Sequence, residues 1–417
     1  MRDNLNAIET LLKQREVKKA DILIARQLRS SSSDRDQAQL MVLRARTRLL
    51  SARPEAAVDD LIRVRAMDPD LTNTAENLEL LADCHFARFE LSTVGFADRN
   101  DARQAEQIYC QILERFPGYE NLGWVYYQLG RILLTDNRID AALDYIQQAL
   151  LTPSHVSALT AYCYERLGFV AFYEQRDLSR SMTFLSKAID TYPASEDRLW
   201  LVQVHILRSR VLREMYHMDQ ALQEAEKALN LATAGRTDRR SALAEALLTT
   251  GELLTTIEGR EREVITHLEQ FLQVSRRPPG IDVTWSRVYE MLGDAYFRQG
   301  RYDDAVMAYN AVMQFNPYHP WEDSVYHRVA RVYYQQGNYE KAVNAIQHAL
   351  DVARSDGHDP DYRLYDVFGS ACFALGKYDR AAEAYAAALK LAPAHHDSLD
   401  KIRKYHRVSL EKLNQTL

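Results

Sequence analysis

Between Leu292 and Pro317 the chain reads LGDAYFRQGRYDDAVMAYNAVMQFNP, which sets Gly293, Tyr296, Gly300, Tyr302, Ala305, Tyr309, Val312 and Pro317 at fixed offsets. The offsets return at Ala330, Tyr333, Gly337, Tyr339, Ala342, Ile346 and Ala349. They return again at Gly369, Cys372, Gly376, Tyr378, Ala381, Tyr385, Ala388 and Pro393. No other feature limits the fold as much. A copy of this length is one supersecondary unit that cannot bury its apolar face alone, so copies must stack. Residues three and four apart share a helix face, so each copy reads as two successive helices. Small residues such as Gly293 and Ala305 let the two backbones approach, and Tyr296 and Tyr309 fill the space that remains. Gly300 and Gly337 fall between the halves, where a helix C-terminus favours glycine. Pro317 and Pro393 follow the second helix and stop it.

Weaker copies extend toward the N-terminus. Gly130, Leu133, Asn137, Ile139, Ala142, Ile146 and Ala149 form one, and Ala45, Ala57, Leu61, Val64 and Pro69 another. Gly168, Ala188 and Pro193 fit with one added loop residue, and Ala82, Ala105, Tyr109, Ile112 and Pro117 fit with an insertion near 88–104. Ser209, Ala221, Ala225 and Ala228 make a weaker copy; Gly251, Val264, Leu268 and Phe271 are degenerate. Ala20 and Ile24 suggest a frayed first unit.

The pattern resembles the tetratricopeptide repeat (TPR) family, most clearly in LGDAYFRQGRYDDAVMAYNAVMQFNP, VARVYYQQGNYEKAVNAIQHAL and FGSACFALGKYDRAAEAYAAALKLAP. About ten divergent repeats are expected, at 1–34, 38–71, 75–119, 123–156, 161–194, 202–235, 244–277, 286–319, 323–356 and 362–395. The expected architecture is all-α: a right-handed α-solenoid of helical hairpins over 1–395, closed by a capping helix over 396–417. Leu399, Ile402, Leu410 and Leu413 of that helix are expected to cover the exposed face of the last hairpin, as a solenoid end requires. RSSSSD (29–34) and SRRPPG (275–280) read as loops between units.

Composition agrees. The chain has 417 residues, 47% of them apolar, which is too long for one ordinary compact domain and suits a repeat array. Only 15 glycines and 11 prolines leave little turn punctuation for strands. A formal charge of −6 with both signs well used predicts a soluble, mildly acidic surface and argues against nucleic acid as the main partner. No run approaches the roughly 20 apolar residues of a membrane span. The start, MRDNLNAIETLLKQREVKK, is polar and amphipathic and lacks the apolar segment of a signal peptide. A cytoplasmic location is expected, with a periplasmic or envelope location as the alternative if a leader has been removed. Cys84, Cys110, Cys163 and Cys372 form no C-x-x-C pair and are expected to be buried free thiols.

A search for chemistry returns nothing. The phosphate-loop, dinucleotide, zinc-protease and nucleophile-elbow motifs are all missing from the sequence. His395 and His396 are adjacent and do not face one ligand, so a solvated loop is the better reading than a metal site. Asp303–Asp304 and Asp59–Asp60 are read as acids that complement the start of a second helix. The expected catalytic residues, metal ligands and cofactors are none, and the chain is expected not to be an enzyme.

The TPR resemblance implies that the first helix of each hairpin lines the concave surface and carries ligand contacts. One groove position gives Arg46, Asp83, Arg131, Phe169, Arg210, Glu252, Asp294, Arg331 and Ser370; the position four residues earlier gives Val42, Glu79, Tyr127, Glu165, Ile206, Leu248, Glu290, His327 and Asp366. Residues four apart stack on one face, so the two rows form a ladder. The main partner-binding groove is expected at Trp124, Tyr127, Arg131, Tyr162, Phe169, Tyr173, Arg210 and Arg213, with a secondary groove at Arg46, Glu252, Glu290, Asp294 and Arg331. Arginine with aromatics suits a protein or peptide segment of acidic or aromatic character, because guanidinium grips carboxylate and ring faces bury apolar anchors. The lysine- and asparagine-based clamp for C-terminal carboxylates known in the family is not matched. Three readings follow: a scaffold or adaptor that binds a partner segment, a ligand-responsive sensor, or an envelope assembly or secretion factor if a leader is missing.

Overall fold

The structure, a computed structural model, describes residues 2–31, 33–92, 99–234, 240–355, 357, 359–393 and 399–416. All regular structure among them is helical. The chain divides into two compact units, Met1–Asp197 and Arg198–Leu417.

In the amino-terminal unit the helices pair in chain order: α1 (Arg2–Lys13) with α2 (Val17–Ser30), α3 (Asp34–Leu50) with α4 (Pro54–Met67), α6 (Ala75–Leu91) with α7 (Arg99–Arg115), α8 (Leu122–Thr135) with α9 (Ile139–Leu151), and α10 (Leu159–Tyr173) with α11 (Leu178–Thr191). A single turn, α5 (Pro69–Thr72), bridges the second and third pairs. Pro69 opens this turn at its first position, where its missing N–H is not needed.

The carboxy-terminal unit repeats the scheme. There α12 (Leu199–Glu214) pairs with α13 (Met218–Thr233), α14 (Arg240–Leu254) with α15 (Glu261–Val274), and α16 (Val283–Arg298) with α17 (Tyr302–Phe315). Then α18 (Glu322–Gln335) pairs with α19 (Tyr339–Ser355) and α20 (Tyr362–Ala374) with α21 (Tyr378–Leu391), before the terminal α22 (Leu399–Thr416).

Within each unit a new first helix lies against both helices of the preceding pair. Thus α6 touches α3 and α4, α10 touches α8 and α9, and α20 touches α18 and α19. This explains the difference between the two helix types. First helices are flanked on several sides, so α12 buries Leu201, Val202, Val204, Ile206, Leu207 and Val211 almost all round. Second helices bury one stripe, such as Ala305, Ala308, Tyr309, Val312 and Phe315 of α17. The turns inside the hairpins share one conformation. Arg15, Ala52, Asn137, Arg176, Tyr216, Gly259, Gly300, Gly337 and Gly376 all have φ between 52° and 83°. At Gly300 the following N–H of Arg301 reaches back to the Tyr296 carbonyl at 2.9 Å, closing the helix end.

Some expectations are corrected. Asp60 does not lie in the first turn of its helix: α4 begins at Pro54, so Asp60 sits a turn and a half inside it. It is buried and holds Arg44 at 2.6 and 2.8 Å and Arg48 at 2.6 Å, a clamp between α3 and α4. Asp303 and Asp304 do occupy the first turn of α17. In RSSSSD, Arg29 and Ser30 end α2 and Asp34 opens α3, which leaves a shorter loop; Ser32 lies outside the described residues. The terminal helix packs on α21 and seats Ile402 in the core of the last hairpin, with Leu399 buried and Tyr405 against the same core. Leu410 is 43% exposed and Leu413 only partly covered. The covered seam runs through Ile402, Tyr405 and Ser409, and Leu410 is one helical step, about 100°, away from it.

The cysteines are free thiols; Cys84, Cys163 and Cys372 are buried and Cys110 is half-buried. Burial pushes the Cys163 thiol up to about 12. Among the described residues no helix is long and apolar enough to cross a membrane.

Candidate functional site

First helices touch first helices within each unit: α1 lies against α3, α3 against α6 and α8 against α10; α12 lies against α14 and α18 against α20. Side chains that leave this row on its free side define the candidate surface. The two ladder rows separate here. In the earlier row Val42, Tyr127, Glu165 and Ile206 are buried, and Glu79, Leu248, Glu290, His327 and Asp366 are half-buried. The later row, with Arg46, Arg131, Phe169, Arg210, Glu252, Asp294 and Arg331, is half-buried to exposed.

The expected main groove falls in both units, with Trp124 to Tyr173 in the first and Arg210 and Arg213 in the second. In the amino-terminal unit an aromatic row is present. Trp124 and Tyr127 have centroids 5.4 Å apart, Tyr127 and Tyr162 6.0 Å, and Phe169 and Tyr173 4.6 Å. Its charges are engaged internally. Arg131 bonds Glu90, donates to Gln128 Oε1 at 2.8 Å and lies 4.8 Å above the Phe86 ring. Beneath it sits a half-buried acidic pair on α6. Asp83 accepts from Tyr109 Oη at 2.5 Å, Gln128 Nε2 at 3.0 Å and Trp124 Nε1 at 3.1 Å. Asn121 Nδ2 donates to both oxygens of Glu79 at 2.9 Å. Burial, followed by the charge of Asp83, pushes the Glu79 carboxyl up to about 8, despite Asn121, Tyr119 and Arg46. Burial also raises Asp83 against its three hydrogen bonds. Trp124 therefore serves as much to satisfy Asp83 as to face a ligand.

In the carboxy-terminal unit Arg210 meets Glu245 at 3.1 Å, and Arg213 meets Glu252 at 3.7 Å. Glu252 is also bonded by Arg287. Glu290 and Asp294 share Arg328, at 2.9 Å for Glu290, and Asp294 accepts from Tyr309 Oη at 2.6 Å. Arg331 differs. Its guanidinium lies 5.1 Å above the Phe297 ring, and among the described residues no carboxylate forms an ion pair with it.

Arg331 lines an open cavity of about 700 Å³ on the first helices α16 and α18 and the start of α20. Asp294, Phe297, Trp321, His327 and Arg363 line it too. A second volume of about 430 Å³ shares His327, Arg331 and Arg363 and extends to Asp366 and Lys401. Trp321 stands 66% exposed. His327 Nε2 is buried without a hydrogen-bond partner among the described residues. Burial, then the charges of Arg331 and Arg363, pull this histidine down to about 4, with Asp361 opposing and Arg328 adding.

The repeat offsets thus reached Asp294 and Arg331, and His327 by its ladder position. Phe297, Trp321 and Arg363 were missed; the ladder follows one register of each first helix, and these residues sit beside it or in the loop before it. Among the described residues no cluster of His, Cys, Asp and Glu could hold a metal ion. His395 and His396 lie outside the described residues.

A family model for the tetratricopeptide repeat matches residues 284–355 and 321–394, and a second model of the same description matches 125–151. No curated protein sequence matches the chain. Among solved structures, the apo form of the quorum sensor NprR from B. thuringiensis is 12% identical, covers 75% of this chain and 86% of its own, and has a TM-score of 0.53. The C-terminal part of a TPR repeat-containing protein from Cytophaga hutchinsonii is 16% identical over 66% of this chain and 98% of its own, at a TM-score of 0.45. The P58(IPK) TPR domain is 16% identical over 100% of this chain and 98% of its own, at 0.34.

Proposed function

Because this chain is a tetratricopeptide repeat protein, we propose that it is a non-catalytic interaction scaffold that holds a segment of a partner protein against its first helices. The observation that carries this reading is the 700 Å³ cavity on α16, α18 and α20, where ladder positions meet an exposed indole and a guanidinium without a carboxylate partner. A concave site with a few convergent polar groups is where ligands bind in general. Exposed aromatics and arginine are the side chains that most often anchor partners.

The aromatic row of the amino-terminal unit is proposed as a second contact patch. Its contribution is apolar and comes from Tyr162, Phe169 and Tyr173, since Arg131 is engaged internally. Arg210 and Arg213 are proposed as polar contacts of the other unit.

A photo-crosslinking amino acid in place of Trp321 tests the reading. It is expected to capture one discrete partner segment, with capture lost in an Arg331→Glu background. The same probe at Met307, 71% exposed on the second helix α17, is expected to capture nothing specific. Equal capture from both positions would place recognition elsewhere and end this assignment.

A sensor of a small ligand is the second reading. It is favoured by the size of the two volumes, which fall within the range of small-molecule pockets.

A further inference from the structure

Four aspartates, Asp294, Asp323, Asp359 and Asp361, and four arginines, Arg298, Arg328, Arg331 and Arg363, line the larger cavity, but they are not joined one to one. Asp294 is taken by Arg328 and Tyr309, and Asp361 by a bidentate contact from Arg363 at 2.6 and 3.0 Å. Asp323 is buried in the first turn of α18, where the helix dipole meets its charge. In the adjoining volume Asp366 faces Lys401 at 3.7 Å. Among the described residues, Arg298 and Arg331 have no ion pair to a carboxylate, and His327 Nε2 is buried without a hydrogen-bond partner. After burial, the guanidiniums of Arg331, Arg363 and Arg328 depress this histidine, and Asp361 alone opposes them.

We propose that this cavity is a phosphoryl-group site, in which Arg298 of α16 and Arg331 and His327 of α18 close on a doubly charged oxyanion. The proposal deepens the scaffold reading and rests on it for the location of the site. A carboxylate offers two coplanar oxygens and one charge, which a single guanidinium fork already matches. Two uncommitted forks and an imidazole approaching from two helices suit a group with three terminal oxygens and nearly two charges. Phosphate also supplies what the ring of His327 lacks, an acceptor oxygen in place of a buried orphan nitrogen. The cavity is far larger than a phosphate ion. Phe297 at its wall and the exposed Trp321 at its mouth give the remaining space an aromatic lining for the body that carries the group.

Isothermal titration of the full chain with inorganic phosphate, against sodium chloride of equal ionic strength, tests the proposal. A phosphoserine peptide and the same peptide with glutamate or serine at that position form the further arms. Phosphate is expected to bind saturably at one site. Arg331→Gln or Arg298→Gln is expected to weaken it by about tenfold or more, the loss typical of a charge-assisted hydrogen bond, while Arg262→Gln on the exposed face of α15 leaves it unchanged. In the NMR spectrum the His327 ring is expected to titrate at higher pH when phosphate is bound. A phosphopeptide that binds more tightly than free phosphate identifies a modified partner side chain as the source; equal binding identifies a free phosphate compound. Heat no greater than with chloride, unchanged binding in both arginine variants, or equal affinity for the glutamate peptide would overturn the phosphoryl assignment. Failure of every phosphate arm while crosslinking at position 321 persists removes this inference and leaves the scaffold. Phosphate binding with no crosslinked partner does the reverse.

Discussion

A β-carbon added to Gly293 would stand 2.5 Å from Cε1 of Tyr309, closer than packed atoms approach. The hydrogen at this position is what lets α16 meet α17, and the ring it admits sends its hydroxyl on to Asp294. Gly293→Ala is therefore expected to cost about 1–3 kcal/mol, the range for an overpacked core. Gly118→Ala, which meets nothing within 4 Å, should cost far less. Urea denaturation of both variants checks this, and equal midpoints would refute it. The repeat offsets marked Gly293 as a contact glycine and Gly300 as a turn glycine, because both roles are local. The state of His327 was not legible in the same way. Its ladder position followed from the spacing, but its lack of a partner depends on Arg331 and Arg363 and on what the neighbouring hairpins leave unfilled.

Helix α6 shows what a whole element adds. Its Glu79 and Asp83 are one turn apart and half-buried, and their partners come from the loop before α8 and from α7 and α8. Glu79 has its carboxyl raised from 4.5 to about 8, first by burial and then by Asp83. Between those values the folded protein holds a proton that the unfolded chain has released. Stability from this group is thus complete below about pH 4.5 and is lost as pH rises through about 8. Glu79→Gln replaces a neutral carboxyl by a neutral amide. It is expected to flatten the loss between pH 5 and pH 8, an effect of a few kcal/mol at most. Urea midpoints at the two pH values measure it; parallel losses in both proteins would show that Glu79 is not the group responsible. The sequence pattern placed both acids on a groove ladder. Burial between adjacent first helices turned them into a structural pair, and only the packing of α7 and α8 against α6 shows that.

At the scale of the molecule, each of the two units is a row of hairpins, and each row needs its ends covered. In the carboxy-terminal unit that work falls to α22, through Ile402 at 0% exposure. Ile402→Ala is expected to cost about 2–4 kcal/mol and to release the last hairpin first. Hydrogen exchange across 362–391 reads this directly, and unchanged protection would mean that the cap is dispensable. The amphipathic period of 396–415 was enough to expect a cap. The rotation that buries Tyr405 and Ser409 and exposes Leu410 was settled by the surface of α21.

The sequence alone determined the helices, their pairing into hairpins, the turns between them and the presence of a cap. These depend on residues three, four and seven apart, and such offsets are set by helix geometry wherever the helix lies. Only the tertiary structure decided which groove charges are available. Arg131 and Arg331 occupy the same repeat position, yet Glu90, 41 residues away, engages the first, and among the described residues no carboxylate engages the second. A side chain on a first helix finds its partner one repeat away, across a stacking contact, and the divergent repeats place different residues opposite it each time.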